Sequence, residues 1–234
     1  LERAVVAGHV PKADVEFRGP VREFPYDHDE GVFRVALNLQ DATLDYANGW
    51  PRVEGLNGEV VFEGVGMHAT ADSARLGGLA VKDYVVKIPD LRRGVLAVSG
   101  QQRGGLEQIL DFVRATPLSV KIGPSLDRVT GSGPVDTAIR LSLPITQLSE
   151  YNLQVLFDAR GCRLGWKKLP LDLQDLRGRV RLQNTRFSGS GLQAIMLGEP
   201  VEAALRAEQG PDGLTTHIAD LRGTTPVARV TSTF

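Results

Sequence analysis

The chain has 234 residues, 42% hydrophobic and 24% charged, a net charge of -1 and one cysteine. Mean hydropathy is -0.11 and the pI is near 6.5. These values describe a folded chain rather than a disordered one, and they lack the basic excess of a nucleic-acid binder. A lone Cys162 excludes an internal disulfide and leaves periplasm and cytosol equally open; no run of about 18 uncharged apolar residues is present to span a bilayer as a helix.

Leu1 to Ala7 has weak helical spacing. Asp27, His28, Asp29 and Glu30 form an acidic run before Gly31 that reads as a solvated turn, since it lacks the glycine and distal glutamate of a calcium loop. From there apolar residues recur at every second position. Phe33, Val35, Leu37 and Leu39 make one such run, Val60 and Phe62 a second, and Tyr84, Val86 and Ile88 a third. Period two gives each strand one polar and one apolar face. Turn signals at Asn48-Gly49, Asn57-Gly58, Gly77-Gly78 and Arg93-Gly94 separate the runs.

Gly105 to Ala115 breaks the pattern. Leu106, Ile109, Leu110 and Val113 stand at helical spacing and Pro117 stops the run, which predicts one amphipathic helix able to cover one end or lip of a sheet. A Gly-, Pro- and Ser-rich stretch over 117–133 reads as a join between halves 1–116 and 134–234. Beyond it, Cys162, Leu164 and Trp166 alternate, as do Val180 with Leu182 and Val201, Ala203 and Leu205, with turn signals at Gly189 to Gly191 and Pro211-Asp212-Gly213. About 14 short strands at this spacing suggest a meander. The chain closes on the strand-like Val227 to Phe234 and is expected to be a fragment, any targeting segment lying outside it.

The halves echo each other. Thr43-Leu44-Asp45-Tyr46 matches Arg163-Leu164-Gly165-Trp166, and Leu56 to Phe62 matches Leu176 to Leu182. Repeated units of this kind lengthen a sheet, because each need only pair with its neighbour.

No catalytic constellation stands out. His9, His28, His68 and His217 have no partner at metal-ligand spacing, so neither metal nor cofactor is expected. Gly131-Ser132-Gly133 and Gly189-Ser190-Gly191 read as turns rather than phosphate cradles. Cys162 is expected to be a buried small hydrophobe. Arg160, Arg163, Lys167, Lys168, Arg177, Arg179, Arg181 and Arg186 form a basic cluster, either a solvated outer face or a contact for anionic head groups.

Each strand donates an apolar face that must be covered. One helix cannot cover so many, so a sandwich or tightly curled sheet is the first expectation, and an open U filled by acyl chains the second. A two-chain lipid has about 30 methylenes, and exposing them all to water costs on the order of 20 kcal/mol. A conduit must therefore be apolar throughout, and 14 strands would make one roughly 65 Å long.

Gly19-Pro20-Val21-Arg22-Glu23-Phe24-Pro25-Tyr26, Gly31-Val32-Phe33, Leu44-Asp45-Tyr46 and Trp50-Pro51, followed in order by Ile88-Pro89-Asp90-Leu91, Thr116-Pro117-Leu118, Gly131-Ser132-Gly133 and Leu141-Ser142-Leu143-Pro144, resemble the middle region of the AsmA-like superfamily in its YhdP-type, TamB-related branch of Gram-negative envelope proteins. The resemblance implies an elongated, curved antiparallel sheet forming a U-shaped β-groove, in an inner-membrane-anchored protein that crosses the periplasm and carries phospholipid toward the outer membrane. It implies docking proteins at both membranes and a groove extended by the remainder of the same chain. The expected lining is Phe33, Val35, Leu37, Leu39, Val60, Phe62, Tyr84, Val86, Ile88, Leu164, Trp166, Val180, Leu182, Val201, Ala203 and Leu205. The other expectations weighed are a scaffold that pairs strands with outer-membrane components and, last, an enzyme, for which no motif speaks.

Overall fold

Alternation of this kind produces antiparallel strands. The computed structural model describes residues 5–26, 30–122, 124–144, 147, 150–167, 172–209 and 215–224. Six strands come first: β1 (Val5–Arg18), β2 (Val32–Leu44), β3 (Val53–Glu63), β4 (Gly66–Leu76), β5 (Leu79–Ile88) and β6 (Val95–Gly105). Helices α1 (Leu106–Arg114) and α2 (Leu118–Ile122) and a 3-10 turn (Pro124–Arg128) follow. Then come β7 (Val129–Ser132), β8 (Pro134–Pro144), β9 (Asn152–Trp166), β10 (Asp172–Gln183), β11 (Arg186–Met196), β12 (Glu199–Gln209) and β13 (Thr215–Gly223). Among the described residues all thirteen strands join one sheet, in the order β1-β2-β3-β4-β5-β6-β8-β9-β10-β11-β12-β13, with β7 paired to β9. The chain is thus mainly β in a single antiparallel sheet, and the face-to-face sandwich expected first is not formed. Two compact units divide it: residues 1–102 with 139–153, and residues 103–138 with 154–234.

Several expectations change. Val5 to Ala7 begin β1 rather than a helix, because a β partner (Val5 opposite Leu44, Ala7 opposite Thr43) overrides weak helical spacing; residues 1–4 lie outside the described residues. So do Pro211-Asp212-Gly213, Val227 to Phe234, Lys168 and the Asp27, His28 and Asp29 of the acidic run. Asn57-Gly58 and Gly189 to Gly191 lie inside β3 and β11, not in turns. Asn57 accepts from the backbone N–H of Asp41 at 3.2 Å and donates to the Gly55 carbonyl at 3.0 Å, so it pins an irregularity within the strands. Gly58 lies against the Thr70 backbone, leaving no space for a Cβ.

The helix forms where its spacing predicts. Gln108 reaches back to the Gly105 N–H at 3.1 Å, Ile109 and Leu110 are buried, and Ala115 N–H closes the last turn on Asp111. Leu106 and Leu110 lie on Gly131 of β7, where a Cβ would stand 2.6 and 3.0 Å from their methyl carbons. Arg114 donates to the carbonyls of Leu126 and Val129, tying α1 to the segment it covers.

Bulges break the alternation midway along the strands. In the first unit register shifts occur at Leu39/Ala42 of β2, Glu54/Asn57 of β3 and Lys82/Val85 of β5, with Asp41, Gly55 and Asp83 at φ 49, 60 and 55. Aspartate and glycine are the residues that tolerate this left-handed backbone. One extra residue moves the apolar positions from odd to even along β2, from Leu37 and Leu39 to Ala42 and Leu44. Ala42, Leu56, Ala74 and Val81 pack there into a buried cluster, flanked by Leu39, Leu44, Val53, Ala71, Leu76 and Tyr84.

The second unit reproduces most of these features 120 positions later, the Asp83 bulge of β5 excepted. Positive-φ residues pair as Asp41 with Gly161, Gly55 with Asp175, Gly64 with Asn184, Gly77 with Leu197 and Gly78 with Gly198. The buried cluster pairs likewise: Ala42 with Cys162, Leu56 with Leu176, Ala74 with Ala194 and Val81 with Val201.

Candidate functional site

Register places the apolar side chains of the first unit in cross-strand rows, since residues opposite one another share a face. One row runs Val15, Val35, Phe62, Met67, Ile88; the next runs Ala13, Leu37, Val60, Ala69, Val86, Val98. Beyond the bulges a third runs Leu44, Val53, Leu76, Leu79. At 4.8 Å per strand a row across six strands is about 24 Å wide. The opposite face carries the charge, in rows such as Lys12, Asn38, Glu59, Thr70, Val85 and Asp14, Ala36, Val61, His68, Lys87. Val61 and Ala36 are exceptions there, apolar and buried.

In the second unit Leu164 stands opposite Leu173, Val180 opposite Phe157, and Leu182 between Val155 and Phe187. Val201 stands opposite Ala194, Ala203 between Leu192 and Leu221, and Leu205 between Gly189 and Ala219. Trp166 pairs with Val129 of β7. Phe157 stacks on Phe187 at 6.4 Å, and Phe187 meets the His217 ring edge-on at 5.3 Å. His217, an interior-face residue that period two alone did not single out, holds the Thr185 carbonyl through Nε2 at 2.9 Å.

The residues expected to line a groove divide between the two units. Phe33, Val35, Leu37, Leu39, Val60, Phe62, Tyr84, Val86 and Ile88 belong to the first; Leu164, Trp166, Val180, Leu182, Val201, Ala203 and Leu205 belong to the second. Their burial differs. Val35, Leu37, Val60, Phe62 and Val86 are half-buried, whereas Ile88, Leu182, Val201 and Ala203 are buried. Sequence reasoning missed Ala42, Leu56, Ala74 and Val81, as well as Cys162's place among the equivalent four. The available signal was the slip of alternation at Leu39-Gln40-Asp41-Ala42.

Phe17, Phe24, Tyr26 and Phe33 cluster where β1 turns into β2, with ring centroids 5.0–6.4 Å apart. The Arg18 carbonyl and the Tyr26 ring leave room only for glycine at 31: a Cβ would collide with the one and stand 2.7 Å from the other. The Tyr26 hydroxyl is buried and, among the described residues, has no partner, as is the case for that of Thr137 on β8.

Polar chemistry is sparse. Among the described residues no three His, Cys, Asp or Glu side chains could hold a metal ion, and no helix is long and apolar enough to cross a membrane. Cys162 is buried and donates to the Pro134 carbonyl at 3.2 Å; burial pushes its thiol up. Within the basic cluster, Arg160 pairs with Asp136 and Asp158, Arg163 with Asp172 and Arg177 with Asp175, exposed arginines on aspartates of which Asp136, Asp158 and Asp172 are half-buried. A shallow depression lined by Gly191, Gln193, Ala194, Pro200, Val201 and Glu202 lies on the β11–β12 hairpin, with a carboxylate and an amide at its rim.

A model of the YhdP protein family matches residues 1–230. The "Intermembrane phospholipid transporter YhdP" of Escherichia coli is 25% identical over 90% of this chain, and the chain spans 16% of that relative's length. Weaker similarity, 25% over 69% of the chain and 64% of the relative, links it to "Fucoxanthin-chlorophyll a-c binding protein C, chloroplastic" of Macrocystis pyrifera. No solved structure matches.

Proposed function

The chain belongs to the YhdP protein family, and from that premise we propose that it is a periplasmic segment of a lipid-transfer conduit. Its apolar sheet face receives the acyl chains of phospholipid passing between inner and outer membranes. The supporting observation is the pair of rows through Val35–Phe62–Met67 and Leu37–Val60–Ala69–Val86, apolar from strand to strand yet only half-buried, with charge confined to the opposite face. Half-buried aliphatic carbon gains about 25 cal/mol for each Å² removed from water, so a hydrocarbon chain is the fitting cover. Sliding needs no strong polar capture and no catalysis, and the segment acts as a non-enzymatic surface. On this reading the 120-residue correspondence makes halves 1–116 and 134–234 two copies of one groove unit joined by 117–133. The remainder of a longer, inner-membrane-anchored chain extends the groove, and docking proteins stand at the two membranes.

The test is lipid retention. The purified chain, examined by native mass spectrometry after exposure to phospholipid vesicles, is expected to carry phospholipid, and Leu37→Asp is expected to lose it while remaining folded. A wild-type chain that stays lipid-free defeats the reading. A second reading, a scaffold that pairs a client strand, has its own observation: β1 ends the strand order and is exposed along its whole length. Cross-linking of β1 to a β-barrel client without any lipid signal would favour it.

A further inference from the structure

The apolar face of the first unit carries a hydrogen-bonded polar pair, Tyr84 with Gln102. Tyr84, on β5, lays its ring flat on β6 at Gly100, where a Cβ would stand 2.5–2.7 Å from three ring carbons. Its hydroxyl donates to Gln102 Oε1 at 3.2 Å. Burial pushes the phenol up to about 12, so it remains a neutral donor. With Oε1 taken, the Gln102 amide nitrogen remains, and among the described residues that nitrogen has no partner. Amide hydrogens left facing hydrocarbon without an acceptor are unfavourable.

The second unit shows that the fold does not require this group. The buried pairs Ala74–Val81 and Ala194–Val201 correspond. The next pair along the same face is Ala71–Tyr84 in the first unit and Leu192–Ala203 in the second. Where Tyr84 meets Gly100, Ala203 meets Leu221. Large-on-small has become small-on-large, filling similar space with carbon alone.

We infer that Tyr84 and Gln102 form a polar station for the ester carbonyl of a diacyl lipid lying on the first unit's face, Gln102 Nε2 donating to that oxygen and Tyr84 positioning the amide. The station rests on the conduit reading above and adds a chemical preference to it: ester-linked chains are held at this point and ether-linked chains pass without the bond. Water fills the role when the face is empty and is expelled when hydrocarbon covers it.

The experiment is a competition. The chain is incubated with vesicles of equimolar dioleoyl phosphatidylethanolamine and its dialkyl ether twin, re-purified, and the bound lipids are quantified by mass spectrometry. Wild type is expected to retain the diester about three- to tenfold over the diether, the range one hydrogen bond supports. Gln102→Leu should bring the ratio to about one while diether binding persists, and Tyr84→Phe should fall between, with urea midpoints confirming that both variants fold. Equal retention of both lipids by wild type, or a preference surviving Gln102→Leu, overturns the station and leaves the conduit standing. A wild-type chain that binds neither lipid overturns both.

Discussion

In the first unit Val35 and Phe62 are half-buried; 120 positions later Val155 and Leu182 are 7% and 5% exposed. The buried four and most backbone irregularities are shared, although the β5 bulge at Asp83 has no counterpart on β12, and side-chain volume differs as well. Leu37 and Met67 of the first unit become Phe157 and Phe187 in the second, and those two rings stack over the face with His217 at their edge. The pair of units teaches that one framework can leave Val35 and Phe62 half-buried or bury their counterparts Val155 and Leu182, while Phe157, Val180 and Phe187 stay half-buried like Leu37, Val60 and Met67. The more open of the two faces is the one that carries the polar station.

The largest expected contrast comes from inserting charge into each face. Leu182→Glu places a carboxylate where the leucine is buried and should cost about 3–5 kcal/mol. Leu37→Asp, on the half-open face, should cost about 1–2 kcal/mol. Urea unfolding of the two variants checks the ranking, and equal losses would erase the difference between the faces. Next in size is the shared cluster. Leu56→Ala and Leu176→Ala should each cost about 2–4 kcal/mol, and midpoints that diverge widely would break the equivalence of the two clusters.

A smaller effect concerns the bulges. The first unit has aspartate on its first bulged strand and glycine on the second (Asp41, Gly55), whereas the second unit reverses them (Gly161, Asp175). A Cβ at Gly161 would stand 3.1 Å from Asp175 Oδ1. Gly161→Asp alone should therefore lose about 1–2 kcal/mol through like charge and strain. Adding Asp175→Gly should restore most of it, a coupling that a double-mutant cycle measures.

The smallest effect is electrostatic. Arg92 hydrogen-bonds Asp90 in the β5–β6 turn and holds its carboxyl down to about 2. A carboxyl depressed on folding contributes stability above its unfolded value near 3.9, and loses that contribution as pH falls toward 2. NMR titration should find Asp90 still ionised at pH 3, and Asp90→Asn should flatten the acid limb only slightly because the pair is exposed.

Much of this was legible in the residues. Period two over Phe33 to Leu39 and Tyr84 to Ile88 is a local property, and it named the strands correctly. Helical spacing at Leu106, Ile109, Leu110 and Val113, closed by Pro117, was equally local. The bulges were not legible. Asp41 and Gly55 become meaningful only when a neighbouring strand fixes the register, so the alternation rule placed Ala42 and Leu56 on no face at all. Nor could spacing tell that Asn57-Gly58 would hold a bulge rather than a turn, since both uses draw on the same residue types.

By itself the sequence determined strand periodicity, the helix, the separation of charge from carbon, and the faint 120-residue echo, because each depends on neighbours along the chain. Only the tertiary structure decided that the strands form one sheet instead of two facing ones, that the bulges at Asp41 and Gly55 recur at Gly161 and Asp175, and that Tyr84 rests on Gly100 while Ala203 meets Leu221. Those depend on which strands pair and in what register, and pairing is settled by contacts between residues far apart in the chain.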